Sequence, residues 1–154
     1  MTTTVRVATR ADAPHLVEWN AAMALETEHK QLDRAVLARG VAGVFDDPRR
    51  GFYLVAEQAG RPVGSLLVTY EWSDWRCGDW WWIQSVYVTP AARRGGVFRT
   101  LYAAVESRAR AAAGVVGLRL YVEAENENAQ RTYENLGMSA SSYRFFERSF
   151  LAGS

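Results

Sequence analysis

The chain has 154 residues, 49% of them hydrophobic and 23% charged, which suits one domain with a single core and argues against disorder. Eighteen Lys+Arg against 17 Asp+Glu leave a formal charge of +1, without the basic excess of a nucleic-acid binder. No apolar run reaches the roughly 18–20 residues needed to span a bilayer, and Met1 to Pro14 holds no signal-peptide core, so a cytoplasmic protein with no membrane partner is expected.

In chain order, Thr4 to Ala8 alternates and reads as a strand. Asp12 is placed to cap a helix, with Pro14 in its first turn and Leu16, Trp19, Met23 and Ala24 at helical spacing. A second helix is expected from Leu32 to Ala38, ending at Gly40, and a loop follows from Phe45 to Gly51. Phe52 to Glu57 and Pro62 to Tyr70, joined by Ala59-Gly60-Arg61, read as a hairpin. Glu71 to Asp79 is polar and Trp-rich and reads as a long connection or the fraying end of a strand. Trp80 to Val88 is the most apolar strand, closed by Pro90.

Beyond it, Val97, Leu101, Ala104, Val105 and Arg108 trace a helix face to about Ala113. Leu118 to Val122 alternates as a strand. Asn126 to Leu136 is a helix with Gly137 as its C-terminal cap, and Ser142 to Phe150 patterns as one or two final strands. With no repeat or linker, residues 1–154 form one domain. A strand meander followed by β-α-β-α-β gives a mixed sheet with helices on both faces.

Cys77 is the lone cysteine, so no intrachain disulfide forms, and His15 and His29 lack any metal-ligand spacing. No metal is expected.

The strand Trp80–Val88 passes into a helix through Arg93-Arg94-Gly95-Gly96. A helix start leaves backbone N–H groups without intrahelical partners and adds partial positive charge. Glycine removes the side chain that would hold a phosphate off those donors. Arg93, Arg94 and Arg99 add formal charge, and no Asp or Glu occurs from Trp80 to Val105. This combination points to an anion site; the alternative is a tight turn with solvated arginines.

Val88-Thr89-Pro90 followed by Arg93-Arg94-Gly95-Gly96 resembles the acetyl-CoA motif of the GCN5-related N-acetyltransferase (GNAT) family, (Gln/Arg)-x-x-Gly-x-(Gly/Ala) after a strand ending in Val-x-Pro. Phe98 stands where the motif ends in a small residue. The stretch Asn126 to Met138, with Ala129, Tyr133 and Gly137-Met138, resembles the family's second motif, Asn-x-x-Ala-x-x-x-Tyr-x-x-x-Gly-(Phe/Met), and Asn128 with Ala129 opens its helix.

The resemblance implies an α/β fold with a mixed, mostly antiparallel sheet of six to seven strands and about four helices. Two parallel strands, Ile83–Val88 and Leu118–Val122, would splay apart around the pantetheine arm of acetyl-CoA, the co-substrate. Val86, Tyr87 and Val88 would pair with its amides, one N–H facing the thioester oxygen. Arg93, Arg94, Gly95, Gly96, Val97, Phe98, Arg99 and Thr100 would hold the pyrophosphate. By the same resemblance Asn128 binds the pantetheine and Tyr133 protonates the departing thiolate.

Family members often carry a glutamate on the strand before the glycine turn, but Trp80-Trp81-Trp82-Ile83-Gln84-Ser85 holds no acid. Glu26 and Glu28 are the preferred candidates for the base, since the first helices commonly wall the acceptor pocket in this family. Glu71, Asp74, Glu123 and His29 are the others. Five of the six tryptophans lie between Trp72 and Trp82. Trp72 and Trp75, flanked by Glu71, Asp74 and Arg76, suit either a wall for a cationic amine or a homodimer surface. With Gln84 they are the candidate substrate residues.

The expected activity is acetyl transfer to a primary amine by direct attack, with no covalent enzyme intermediate. The acceptor is a small molecule or a protein amine. A near-neutral chain offers no acidic trough for a basic peptide, which favours the small molecule. Two alternatives stand beside it: a non-catalytic acyl-CoA-binding regulator, suggested by Phe98 and the missing strand glutamate, and a Trp-rich module that binds sugars or peptides.

Overall fold

The computed structural model describes residues 1–152, which fall into two compact units, Met1–Leu120 and the stretch from Tyr121 onward. The first unit holds a five-stranded sheet in the order β1 (Thr3–Val7), β2 (Gly51–Gln58), β3 (Arg61–Ser73), β4 (Gly78–Val88) and β5 (Val115–Arg119). All neighbours are antiparallel except β4 and β5, which are parallel. The β2–β3 turn is Ala59-Gly60 with φ of 50° and 73°, the left-handed pair that matches the strand twist in a two-residue hairpin.

Helices α1 (Ala13–Glu28) and α2 (Arg34–Asp46) precede β2, and α3 (Val97–Ala111) joins β4 to β5. Successive strand residues face opposite sides, so β2 feeds two cores. Tyr53 and Val55 pack with Leu16 and Trp19 of α1, Val41 of α2 and Tyr87 of β4. Leu54 and Ala56 face the other way, the side of Leu66, Val68 and Ile83, where α3 buries Val97, Leu101 and Val105. The mixed sheet with helices on both faces is therefore as expected. No helix among the described residues is long and apolar enough to cross a membrane.

Two boundaries differ from the sequence reading, and a third is decided between its alternatives. Helix α2 does not stop at Gly40 but runs on to Asp46. Leu37, Val41, Val44 and Phe45 continue one apolar face onto the core, and that packing outweighs the roughly 1 kcal/mol cost of a helical glycine. Of the two readings of Glu71 to Asp79, the strand end holds for Glu71 to Ser73, which pairs with Gly78–Trp80, and the chain reverses between Ser73 and Gly78. Strand β5 occupies Val115–Arg119 rather than Leu118–Val122, because its ladder to β4 ends at Arg119.

Asp12 precedes α1, yet its carboxylate makes no cap bond to that helix. It accepts from Arg6 at 2.7 and 2.8 Å and from the Thr9 N–H at 2.8 Å, tying β1 to the start of α1. The Arg6 guanidinium holds the Asp12 carboxyl below its ordinary value near 3.8. A lowered folded-state pKa adds stability above the ordinary value, and that stability is lost as the pH falls below it. Asp12→Asn is expected to lower the unfolding free energy by about 1.5–3 kcal/mol at neutral pH. In urea melts the difference from wild type should shrink as the pH drops below 4.

In the second unit, α4 (Glu127–Asn135) is capped by Asn126, whose side chain accepts from the Ala129 N–H at 3.1 Å. Gly137, at φ 95°, ends it as expected: its N–H meets the Glu134 carbonyl and the Met138 N–H the Tyr133 carbonyl. Ser142 to Phe150 forms no strand, so the sheet has five strands among the described residues instead of six to seven. Alternation along a segment shows only that it suits a ladder, and here the ladder is not made.

Candidate active site

The ladder between β4 and β5 runs from Asp79↔Val115 to Trp82↔Arg119 and goes no further. Beyond Trp82, the edge of β4 from Ile83 to Val88 has no strand partner among the described residues. On its other side, β4 pairs with β3 but carries a bulge. Ser65 faces Tyr87 and Leu67 faces Gln84, so Ser85 and Val86 together oppose Leu66. Ser85 sits at φ 52°, a left-handed position for a non-glycine residue. The bulge re-aims the backbone groups at the middle of the open edge. The sequence reading missed it, although the polar pair Gln84-Ser85 interrupting an apolar strand is its trace.

At the end of this edge the chain turns into α3. Arg94 has φ 67° and Gly96, at the N-cap, φ 79°. Gly95 between them is not left-handed, and this alternation of left-handed and ordinary residues aims successive N–H groups to one side, the arrangement of an anion-binding nest. The first helical bond runs from the Thr100 N–H to the Gly96 carbonyl, so the N–H groups of Val97, Phe98 and Arg99 precede the ladder. No side chain caps this end, and its first turn holds no acid. The Phe98 ring lies 6.3 Å from that of Tyr102, one helical turn on.

The structure brings Glu26, near the end of α1, to this turn. Its carboxylate pairs with Arg93 at 2.7 Å and lies 3.4 Å from the Tyr87 hydroxyl. Arg93 also donates to the Val88 carbonyl at 2.9 Å and lies 5.4 Å from the Tyr87 ring. Burial first, and the Glu26 charge second, raise the Tyr87 pKa above its ordinary 10. Glu28 is not part of this group; it pairs loosely with Lys30 at 3.8 Å on the surface.

The candidate substrate residues are dispersed. Gln84 donates to the Thr69 hydroxyl on the α1 side of the sheet, whereas Trp72 points from the opposite face and Trp75 lies in the exposed β3–β4 turn. The α1 side instead carries Trp80, Trp82 and Glu71, with the Trp82 indole donating to Glu71 at 2.8 Å. In the second unit, Asn128 lies exposed in the first turn of α4 and accepts from Arg131. Tyr133 is half-buried, and burial raises its pKa above 10.

The model of the Acetyltransferase (GNAT) family matches residues 13–138. The chain belongs to the GNAT acetyltransferase family. Its fold is shared by a protein described as a possible acetyltransferase from Clostridium difficile 630, 40% identical over 98% of this chain and 99% of that one, with a TM-score of 0.91. A transcriptional regulator from Bacillus halodurans C-125 is 24% identical over 97% and 100% of the two chains, at a TM-score of 0.81. Glucosamine-6-phosphate N-acetyltransferase from Arabidopsis thaliana is 18% identical over 96% and 99%, at 0.74. These last two likenesses establish the fold alone. Comparison with curated proteins returned no match. In this GNAT chain the parting of β4 from β5 and the N-terminal turn of α3 lie within one unit, so the main-chain part of the site is positioned by a single sheet.

Proposed function

We propose that this GNAT chain transfers an acetyl group from acetyl-CoA to a primary amine, most simply that of a small molecule, by direct attack of the amine on the thioester. The supporting observation is the open β4 edge, Ile83–Val88, leading into the uncapped turn at Gly96. An extended, amide-bearing arm suits an open strand edge, and a diphosphate suits a nest at a helix start. The donor set therefore fits coenzyme A, with Arg93, Arg94 and Arg99 supplying charge beside the N–H groups of Val97 to Arg99. Bound acetyl-CoA supplies an activated acyl carbon and a thiolate leaving group.

The chain's own residues supply the rest. At the bulge, an N–H of Ser85 or Val86 is suited to polarise the thioester oxygen, a contribution of about 3 kcal/mol when such a donor is well placed. Tyr133 keeps its proton at neutral pH, as an acid for the leaving thiolate must. Glu26 is the α1 carboxylate brought onto β4, and we assign it the acceptor's proton.

Glu26→Gln separates that role from a structural one. Loss of the base should lower kcat about 100-fold with little change in the KM for acetyl-CoA. A raised KM with kcat intact would make Glu26 only the residue that holds Arg93. Release of free thiol from acetyl-CoA with a panel of primary amines tests the function. Amine-dependent release supports it; tight acetyl-CoA binding with no release on any amine would turn the reading toward a non-catalytic acyl-CoA binder.

A further inference from the structure

Where the parallel pairing ends, side chains from three strands meet on the α1 side of the sheet. The register Glu71↔Trp80 and Trp82↔Arg119 places all four on that face. Trp80 lies over Gly117, where an added Cβ would come within 2.5 Å of its ring. The Arg119 guanidinium stacks on Trp80 with its Cζ 3.9 Å from the ring centroid, and that of Arg76 lies at 5.1 Å. The Glu71 carboxylate takes the Trp82 indole N–H at 2.8 Å and pairs with Arg119 at 3.3 Å. Only Arg119 meets that carboxylate; Arg76 donates to the Ser73 hydroxyl at 3.3 Å and has no carboxylate partner among the ion pairs of the described residues. Stacking on Trp80 and the bond to Glu71 fix Arg119 from two sides, so little of its side-chain freedom is left to lose on meeting a ligand.

The position of this cluster gives it a meaning. Trp82↔Arg119 is the last pair before the open edge, which runs about 17 Å from Ile83 to Val88 at ~3.3 Å per residue. The anion-binding turn stands at one end and Arg119 at the other. An arm that starts at the turn and follows the edge delivers its reactive end toward Arg119. On the α3 side the sheet is filled, with Ile83 3% and Trp81 8% exposed. Trp82 and Gln84, on the α1 side, are only partly covered, so that is the side open to an acceptor.

We infer that the acceptor amine carries an anionic group, carboxylate or phosphate, and that Arg119, with Arg76 beside it, receives that group. This rests on the N-acetyltransferase reading. Glu71 and Trp82 act as positioning residues that hold the Arg119 fork toward the acceptor. The preference differs from the cationic amine suggested by Trp72, Trp75 and their neighbouring acids in the sequence.

The test measures kcat/KM by thiol release for matched amines: α-amino acids against their amides and decarboxylated amines, and an amino sugar phosphate against the bare amino sugar. At least a tenfold preference for the anionic member is expected in one pair, and which pair shows it separates carboxylate from phosphate. Arg119→Gln should raise the KM for that anionic amine at least tenfold while leaving the neutral partner and acetyl-CoA within twofold. Arg119→Lys should restore part of the loss, and Arg76→Gln, on the exposed turn, should show a smaller loss of the same kind.

Equal rates within every pair, or a loss in Arg119→Gln shared by all acceptors, overturns the inference while the transferase reading stands. If no amine is turned over, tryptophan fluorescence of the coenzyme-bound protein is titrated with acetate and with inorganic phosphate. A saturable change lost in Arg119→Gln supports the anion site, and its absence overturns it. Failure to bind coenzyme A at all would instead strike the reading beneath.

Discussion

Gly96→Glu is expected to weaken coenzyme A binding more than 100-fold, to below detection in ordinary calorimetry. Gly96 caps α3 at φ 79°, and the space where its Cβ would stand is open to 4 Å. The glutamate therefore fits, at a conformational cost of about 1–2 kcal/mol for a left-handed non-glycine residue. Its carboxylate then lies beside the N–H groups of Val97 to Arg99, satisfies them from within the chain and repels a diphosphate. Gly96→Asn is the matched control, since asparagine tolerates the left-handed region and brings no charge. It should retain binding within about tenfold. Binding by Gly96→Glu within threefold of wild type, in protein of unchanged melting temperature, would remove the turn from the account.

Tyr133→Phe is expected to lower kcat by about 100-fold or more, the usual scale for a positioned general acid. The KM for acetyl-CoA should change little, because the phenyl ring preserves the packing. Burial raises the Tyr133 pKa above 10, so the phenol is protonated across the neutral range. The wild-type rate should therefore decline only above pH 10 as that proton is lost, and the variant should lack the decline. Acetyl donors with a more acidic thiol need less protonation on leaving, so they should recover much of the lost rate. An unchanged kcat in Tyr133→Phe would assign the thiolate's proton to water.

The parts of this site carried by local chemistry are the parts legible in the sequence. Arg93-Arg94-Gly95-Gly96 after an apolar strand announces a helix start without acids, and the structure has that helix at Val97 with Gly96 left-handed. Gly137 likewise marks the end of α4 from its neighbours alone. The extent of the open edge depends on where β4 and β5 part, a relation between residues some 36 positions apart that neither strand's pattern encodes. The bulge at Ser85 is a mismatch of register between two strands, visible only once both are paired. Ser142 to Phe150 shows the opposite failing, since its aromatic alternation suits a strand and yet no ladder forms there.

The acceptor side was the least legible. Trp72 and Trp75 draw attention by composition, but adjacent strand residues face opposite ways, so Trp72 and Glu71 are parted by the sheet. The partners that Glu71 meets, Trp82 and Arg119, are 11 and 48 residues away. Glu26 and Glu28, two residues apart, differ by about 200° around a helix with 3.6 residues per turn. Only Glu26 meets β4, and its Arg93 partner lies 67 residues on.

Hydrogen exchange with and without saturating coenzyme A reads the central claim at the backbone itself. The account predicts slowed exchange at two separate places, the open edge from Ile83 to Val88 and the N–H groups of Val97 to Arg99, while the β1–β2 ladder is unchanged. Coenzyme A bound with both segments exchanging as in the free protein, or no binding by well-folded protein, would contradict it.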